Sequence, residues 1–242
     1  MAKAPTSKKR RAELNGLEKR LSHNFRNITL LETALTHRSY VNENPQLAVA
    51  DNERYEFLGD AVLGVCISDL LIKKYSDFSE GTLSKIRAAI VNEKPLAELA
   101  RNLEIGNCLL LGKGEEISGG RSKDSLLANA FEAVIAAIYL DAGFAKTKSL
   151  LKKLMGPFLN DDSMHSQYFD YKTALQEFCQ KKYKAAPVYK IVDSCGPDHA
   201  KTFEVEVSIG GKVIHAGSGK SKKEAEKQAA KKAWQELHNE KE

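Results

Sequence analysis

The chain has 242 residues, 42% of them hydrophobic, and 37 Lys and Arg against 32 Asp and Glu give a formal charge of +5. That length and apolar share fit one large domain or two ordinary ones with real cores, and the longest apolar run, around 133–140, stops at Asp141, too short to cross a bilayer, so no membrane role is expected. The start, MAKAPTSKKRR, has no apolar stretch behind its charges and does not read as a secretory signal, which makes the cytoplasm the expected compartment.

The basic residues are unevenly placed: residues 1–11 carry five bases and no acid, 12–165 carry 18 bases against 21 acids, and 166–242 carry 14 against 11. An acidic middle joined to a basic end suggests metal chemistry in the first and polyanion binding in the second. Cys66, Cys108, Cys179 and Cys195 are scattered without zinc-site spacing and read as reduced thiols.

In chain order, residues 1–12 read as a basic flexible tail and 13–156 as a helical domain. Apolar residues at three- and four-residue spacing predict helices over Leu30–Arg38, Asn52–Tyr75, Thr82–Leu103 and Ser125–Asp141, with Pro95 breaking the third. Leu109–Gly120 reads as a Gly-rich connection, and 157–168 as a linker. From 169 to 239 the period changes. A helix over Asp170–Tyr183 precedes strands Val188–Val192, Phe203–Ile209 and Lys212–Gly217, the last two joined by a Gly210-Gly211 turn, and a helix follows over Ser221–Leu237. The expected architecture is an all-α domain followed by a small α+β (α-β-β-β-α) domain.

Two helical runs carry acids among apolar neighbours, NERYEFLGDAVLGVCIS from Asn52 and LLANAFEAVIAAIYL from Leu126. Helical spacing aligns Glu53, Glu56 and Asp60 on one face, and Asn129 with Glu132 on another. Unpaired carboxylates in an apolar interior cost several kcal/mol, on the order of a lost buried charge. Only Arg54 offers a base within either run, and it points away. Hard oxygen ligands therefore favour a divalent cation, Mg²⁺ with Mn²⁺ as a substitute. The plain alternative, solvated acids paired with surface bases, suits Glu53 well.

On the last helix Lys220, Lys222 and Lys223 stand at the N-terminus, where the helix dipole already favours an anion; a solvated lysine face is the alternative. Gly219-Lys220-Ser221 resembles the end of a phosphate-binding loop, but Ile214 occupies the position of the required glycine, so no nucleotide cofactor is expected.

With these segments assembled, the chain resembles bacterial ribonuclease III over nearly its whole length. NERYEFLGDAVL is similar to that family's signature segment, LANAFEAVIAAIYLD to its second acidic segment, and the part from about Asp170, including KKEAEKQAA, to a double-stranded RNA-binding domain. The resemblance implies a homodimeric, Mg²⁺-dependent endoribonuclease cutting both strands of RNA duplexes, with roles in rRNA processing and mRNA turnover. It implies metal ligands at Glu56, Asp60, Asn129 and Glu132, with Asp60 and Glu132 catalytic, and auxiliary acids at Glu53, Glu80 and Glu115. Asn129 departs from the family's usual Asp, keeping a carbonyl oxygen and losing a charge. Asp124 is a substitute acid of poor helical offset.

The resemblance further implies that Phe57 enters the partner subunit, although an ordinary core aromatic fits equally. Thr173, Gln176, Glu177 and His199 match positions facing the RNA minor groove, and Lys220, Lys222 and Lys223 match those spanning phosphates; exposed polar helix residues are the alternative for Thr173 and Gln176. The implied chemistry is metal-assisted hydrolysis giving 5′-phosphate and 3′-hydroxyl ends with short 3′ overhangs, one cation activating water and a second at the leaving oxygen. A non-catalytic double-stranded RNA-binding protein with a weakened metal site is the competing class, and a phosphohydrolase for small substrates a third.

Overall fold

Helix follows helix through the first unit, with breaks where backbone groups find partners outside the helix. The computed structural model describes residues 8–76, 78–159, 169–197 and 201–239, and the chain separates into two compact units, Met1–Gln167 and Tyr168–Glu242. α1 (Lys8–Leu21) starts inside the stretch expected to be a tail. Leu14, Leu17 and Leu21 are fully buried at helical spacing, and Arg10 donates to the Cys108 carbonyl at 2.7 Å, so anchoring extends the helix back through the basic residues.

The helix expected over Leu30–Arg38 is two, α2 (Ile28–Ala34), capped by the Asn27 side chain, and α3 (Arg38–Glu43). Between them Thr36 bridges to Leu110: the Leu110 amide donates to the Leu35 carbonyl at 2.8 Å and the His37 amide to the Leu110 carbonyl at 3.0 Å. α4 (Glu53–Lys74) runs 22 residues, close to expectation. The predicted Thr82–Leu103 helix divides at Val91–Asn92 into α5 (Glu80–Ile90) and α6 (Glu93–Asn102), and Pro95 falls in the first turn of α6, where its missing N–H leaves no helical bond unmade.

Part of the Gly-rich connection is also helical. α7 (Ile105–Cys108) leads into it and α8 (Lys113–Ile117) lies within it. α9 (Asp124–Leu154) continues past Asp141, with a kink at Gly143 (φ 77°, ψ 176°), a conformation open to glycine. Ala130, Phe131, Val134, Ile135 and Ile138 are fully buried, where α9 packs against α2, α4 and α6. Among the described residues α9 alone is long and apolar enough to cross a membrane, and much of it is buried inside the unit. α10 (Gly156–Leu159) ends the described part of this unit; 160–168, most of the expected linker, lie outside the described residues.

In the second unit α11 (Tyr171–Tyr183) precedes an antiparallel sheet of β1 (Val188–Cys195), β2 (Thr202–Ile209) and β3 (Lys212–Gly219), and α12 (Lys222–Asn239) follows. Strands β1 and β3 run two or three residues longer than the alternation marks. Gly210 and Gly211 both take positive φ, 56° and 82°, as a two-residue hairpin turn requires. Val205, Val207 and Ile209 are buried on one face of β2, and Ala225, Ala229, Ala230, Ala233 and Leu237 of α12 are buried with them.

Small residues let α12 lie close to β3. A Cβ added to Gly217 would stand 2.2 Å from the Ala229 amide nitrogen. Gly217→Ala should therefore lower the unfolding free energy of the second unit by about 1–3 kcal/mol. Urea unfolding followed by fluorescence of Trp234, the chain's one tryptophan, which packs against Phe169 and Phe178, measures this; an unchanged midpoint would show that the sheet and helix can separate freely.

Candidate active site and nucleic-acid interface

Glu56 and Asp60 lie one turn apart on α4, and Asn129 with Glu132 one turn apart on α9. Gly59 sets how these pairs meet. A Cβ there would stand 1.9 Å from the Glu132 carbonyl oxygen and 2.4 Å from its carbonyl carbon, backbone atoms that cannot swing aside. Only glycine allows this approach, which brings the Glu132 carboxyl within reach of the charges of both Asp60 and Glu56.

Burial first, and then those two charges, pushes the Glu132 carboxyl up to about 7. The Glu56 carboxyl is raised by burial and by Glu53, against the opposing effect of a hydrogen bond from Asn129. Asn129 thus works on Glu56 in the direction opposite to burial, and its side-chain amide adds an oxygen donor to the crossing. An uncharged side chain at position 129 adds no repulsion to Glu56.

The acids are less deeply placed than their apolar neighbours suggest. Glu53 and Asp60 are exposed, and Glu56 and Glu132 are half-buried, so the cluster forms a rim at the helix crossing. Glu53 pairs with Arg38 at 3.2 Å, both in solvent, which is the solvated alternative for that residue. Arg101 bonds Asp124, which removes Asp124 as a substitute acid, and Lys123 bonds Glu115 at 2.5 Å.

That bond to Lys123 is the first cause holding the Glu115 carboxyl below its usual range. Glu80 accepts from Ser84 Oγ at 2.8 Å and lines a cavity of about 400 Å³ with Ser68, Leu71, Ile72, Leu83 and Arg87. Those α4 residues lie about 15 positions, or roughly 20 Å, beyond Glu56, so Glu80 stands apart from the cluster of its own subunit.

Among the described residues no group of three or more His, Cys, Asp or Glu side chains is placed to hold a metal ion as it stands. The donor set nevertheless suits a hard divalent cation: Glu132 feels the charges of Asp60 and Glu56, Asn129 adds an amide oxygen, and no base is among the groups that shift Glu56 or Glu132. Composition gave no signal for two further neighbours, His37 and Asn52, which line a small cavity beside Glu56 and Asn129. Asn52 is buried and donates to the Ala34 carbonyl at 3.3 Å.

Phe57 is 81% exposed, which excludes the core aromatic, and Val65 and Ile72 are also exposed on α4. These side chains and Ala61 share a helical face adjoining the acidic one.

In the second unit Thr173, Gln176 and Glu177 are exposed on α11 and line an open depression with Gln180, Lys181 and Lys184. Asp170 caps this helix by accepting from the Thr173 amide at 3.1 Å. Lys220, Lys222 and Lys223 are exposed at the start of α12. There Ser221 Oγ accepts from the Glu224 amide at 3.2 Å, while Glu224 accepts from the Lys220 amide at 2.9 Å. The reciprocal cap fixes the turn carrying the lysines. His199 lies outside the described residues.

Two variants test this geometry. Glu132 binds a proton more readily folded than unfolded, so between pH about 4.5 and 7 the metal-free protein should lose stability as pH rises. Thermal unfolding in EDTA should show that fall, and Glu132→Gln should flatten it; equal slopes would mean that Glu132 is solvated. Gly59→Ala should destabilise the protein by about 1–3 kcal/mol, while parent-like melting would show that the helices do not need the contact.

A Ribonuclease-III-like family model matches residues 27–158, and a double-stranded RNA binding motif model matches residues 171–237. Ribonuclease 3 of Syntrophobacter fumaroxidans is 49% identical over 226 residues, covering 92% of this chain and 93% of that protein. Ribonuclease 3 of Bacillus licheniformis is 47% identical over 229 residues, covering 95% and 92%. Among solved structures, a nuclease domain of ribonuclease III from Campylobacter jejuni matches with TM-score 0.56 and 40% identity over 61% of this chain and 97% of that one. A second structure of that domain, described for flexibility in a region involved in dimer formation, matches with TM-score 0.56 and 42% identity over 60% of this chain and 96% of that one. The signature helix and the second acidic helix both lie within the matched nuclease region, and the lysine-bearing helix lies within the matched RNA-binding region. The chain belongs to the ribonuclease III family.

Proposed function

We propose that this protein is an Mg²⁺-dependent endoribonuclease that hydrolyses both strands of double-stranded RNA, leaving 5′-phosphate and 3′-hydroxyl ends. The observation that carries this reading is the set of acids without a counter-charge at the crossing of α4 and α9, in a chain whose second unit matches a double-stranded RNA binding motif. Glu56, Asp60 and Glu132, with the Asn129 carbonyl, would hold the cation. Bound there, it supplies Lewis acidity and lowers the pKa of its water. Filling the site would require the Glu132 carboxyl, pushed up to about 7, to be ionised, and Asp60 is the exposed member of the set. Helices α11 and α12 read duplex shape, through Thr173, Gln176 and Glu177 at the minor groove and Lys220, Lys222 and Lys223 at the phosphates.

One site addresses one strand, so cutting both calls for a C2 pair. The apolar face of α4 supports this. Phe57 and Ile72 lie nearly symmetrically about Gly64 and Val65. Antiparallel packing of two α4 helices through that centre sets Phe57 against the partner's cavity, the one that Ile72 and Leu83 line. Glu80 borders the same cavity and would join the partner's acids beside Glu56, which accounts for its distance from its own cluster. Glu115, held by Lys123, serves as a support for the loop next to the site. A place in rRNA processing and mRNA turnover in the cytoplasm follows from this substrate class.

Cleavage of a long perfect RNA duplex with Mg²⁺, with EDTA and by Glu132→Gln tests the reading. Short duplex products that need Mg²⁺ and disappear in the variant are expected. Duplex binding without cleavage in Mg²⁺ or Mn²⁺ would favour the non-catalytic RNA-binding alternative. Phe57→Ala should shift the protein from dimer to monomer in sedimentation and lower duplex cleavage at least tenfold, on the order of a lost 1.4 kcal/mol; a parent-like dimer would overturn the α4 interface.

A further inference from the structure

Beside the acid cluster is a cavity of about 60 Å³, lined by His37, Glu53, Glu56 and Asn129 with Leu109 and Leu126 as apolar walls. His37 caps α3, its Nδ1 accepting from the Ser39 amide at 3.3 Å. An amide N–H can only donate, so Nδ1 carries no hydrogen and Nε2 of the neutral ring must carry it. The Ser39 hydroxyl reinforces this tautomer. It lies 2.8 Å from Nδ1 and accepts from the Gly112 amide at 2.9 Å, leaving its own hydrogen for Nδ1.

Gly112 is itself held in place, since a Cβ there would stand 2.5 Å from Glu43 Oε1 and 2.7 Å from the Ser39 carbonyl oxygen. With Nδ1 engaged, Nε2–H makes no protein hydrogen bond among the described residues, and the ring lines the same cavity as Glu56. A polar void of this size has room for ordered water but not for a nucleotide.

We propose that His37 is a positioning residue, whose Nε2–H holds the Glu56 carboxylate through water in this cavity and so sets the cation affinity of the cluster. This rests on the reading that the cluster binds a divalent cation. Outer hydrogen-bond partners of metal ligands commonly govern affinity in this way.

Two substitutions separate the cap from the Nε2 donor. His37→Asn keeps a capping acceptor but is too short to place a donor where Nε2 lies, whereas His37→Gln can extend an amide N–H there. Mn²⁺ binding to the metal-free full-length protein, followed by electron paramagnetic resonance, is the readout, beside melting in EDTA. His37→Asn should bind Mn²⁺ about tenfold more weakly with unchanged melting, and should need about tenfold more Mg²⁺ for half-maximal cleavage. His37→Gln should recover most of the affinity. Mn²⁺ affinity within about twofold of the parent in His37→Asn would overturn the proposal, as would parallel loss of affinity and melting temperature in both variants, which would reduce His37 to its cap. A parent protein that binds no Mn²⁺ would instead refute the metal reading itself.

Discussion

The backbone contact between Gly59 and Glu132 is the constraint on which the site depends. Two helices that touch through a glycine approach more closely than side chains would permit, and here a Cβ would lie 1.9 Å from a carbonyl oxygen. The contact falls between Glu56 and Asp60 on one helix and beneath Glu132 on the other. Acids that would repel one another are therefore held together by the packing of fully buried Phe131, Val134, Ile135, Leu63 and Ile67. Burial first, and then the charges of Asp60 and Glu56, push the Glu132 carboxyl up to about 7. On the proposed reading a cation would offset both effects, so the same core packing that stabilises the fold would also create the demand for a ligand.

Asn129 belongs to this balance. An acid there would add charge to the cluster, whereas the amide lowers the Glu56 carboxyl against the effect of burial and brings an oxygen donor without a charge. An amide at this position thus supplies a donor atom without adding repulsion. Within the second unit, the Ser221 and Glu224 cap plays a similar supporting part, using side chains to offset the cost of three lysines near a helix N-terminus.

Helical spacing made the acid pairs legible, because residues three and four apart must share a face wherever the helix forms. It also separated the two domains, since Phe203 to Ile209 alternates and the first unit does not. Depth was not legible: apolar neighbours suggest that Asp60 is buried, but a helix at the edge of a core exposes one side of every turn. Breaks set by distant backbone partners were hidden too. Thr36 ends α2 because it pairs with Leu110, far along the chain. His37 went unmarked for the same reason: its sequence neighbours say nothing of Glu56 or Asn129, and only the fold brings them to one cavity. Glu80 was recognisable by resemblance alone, and its place beyond Ile72 gains a meaning through two-fold symmetry.

Anomalous diffraction from crystals of the full-length protein soaked in Mn²⁺ tests the central claim most directly. The account predicts a manganese peak about 2.0–2.3 Å from carboxylate oxygens of Glu56, Asp60 and Glu132 and from the Asn129 carbonyl oxygen. An empty crossing in crystals that hold Mn²⁺ elsewhere, or a peak that leaves Glu132 out, would contradict it.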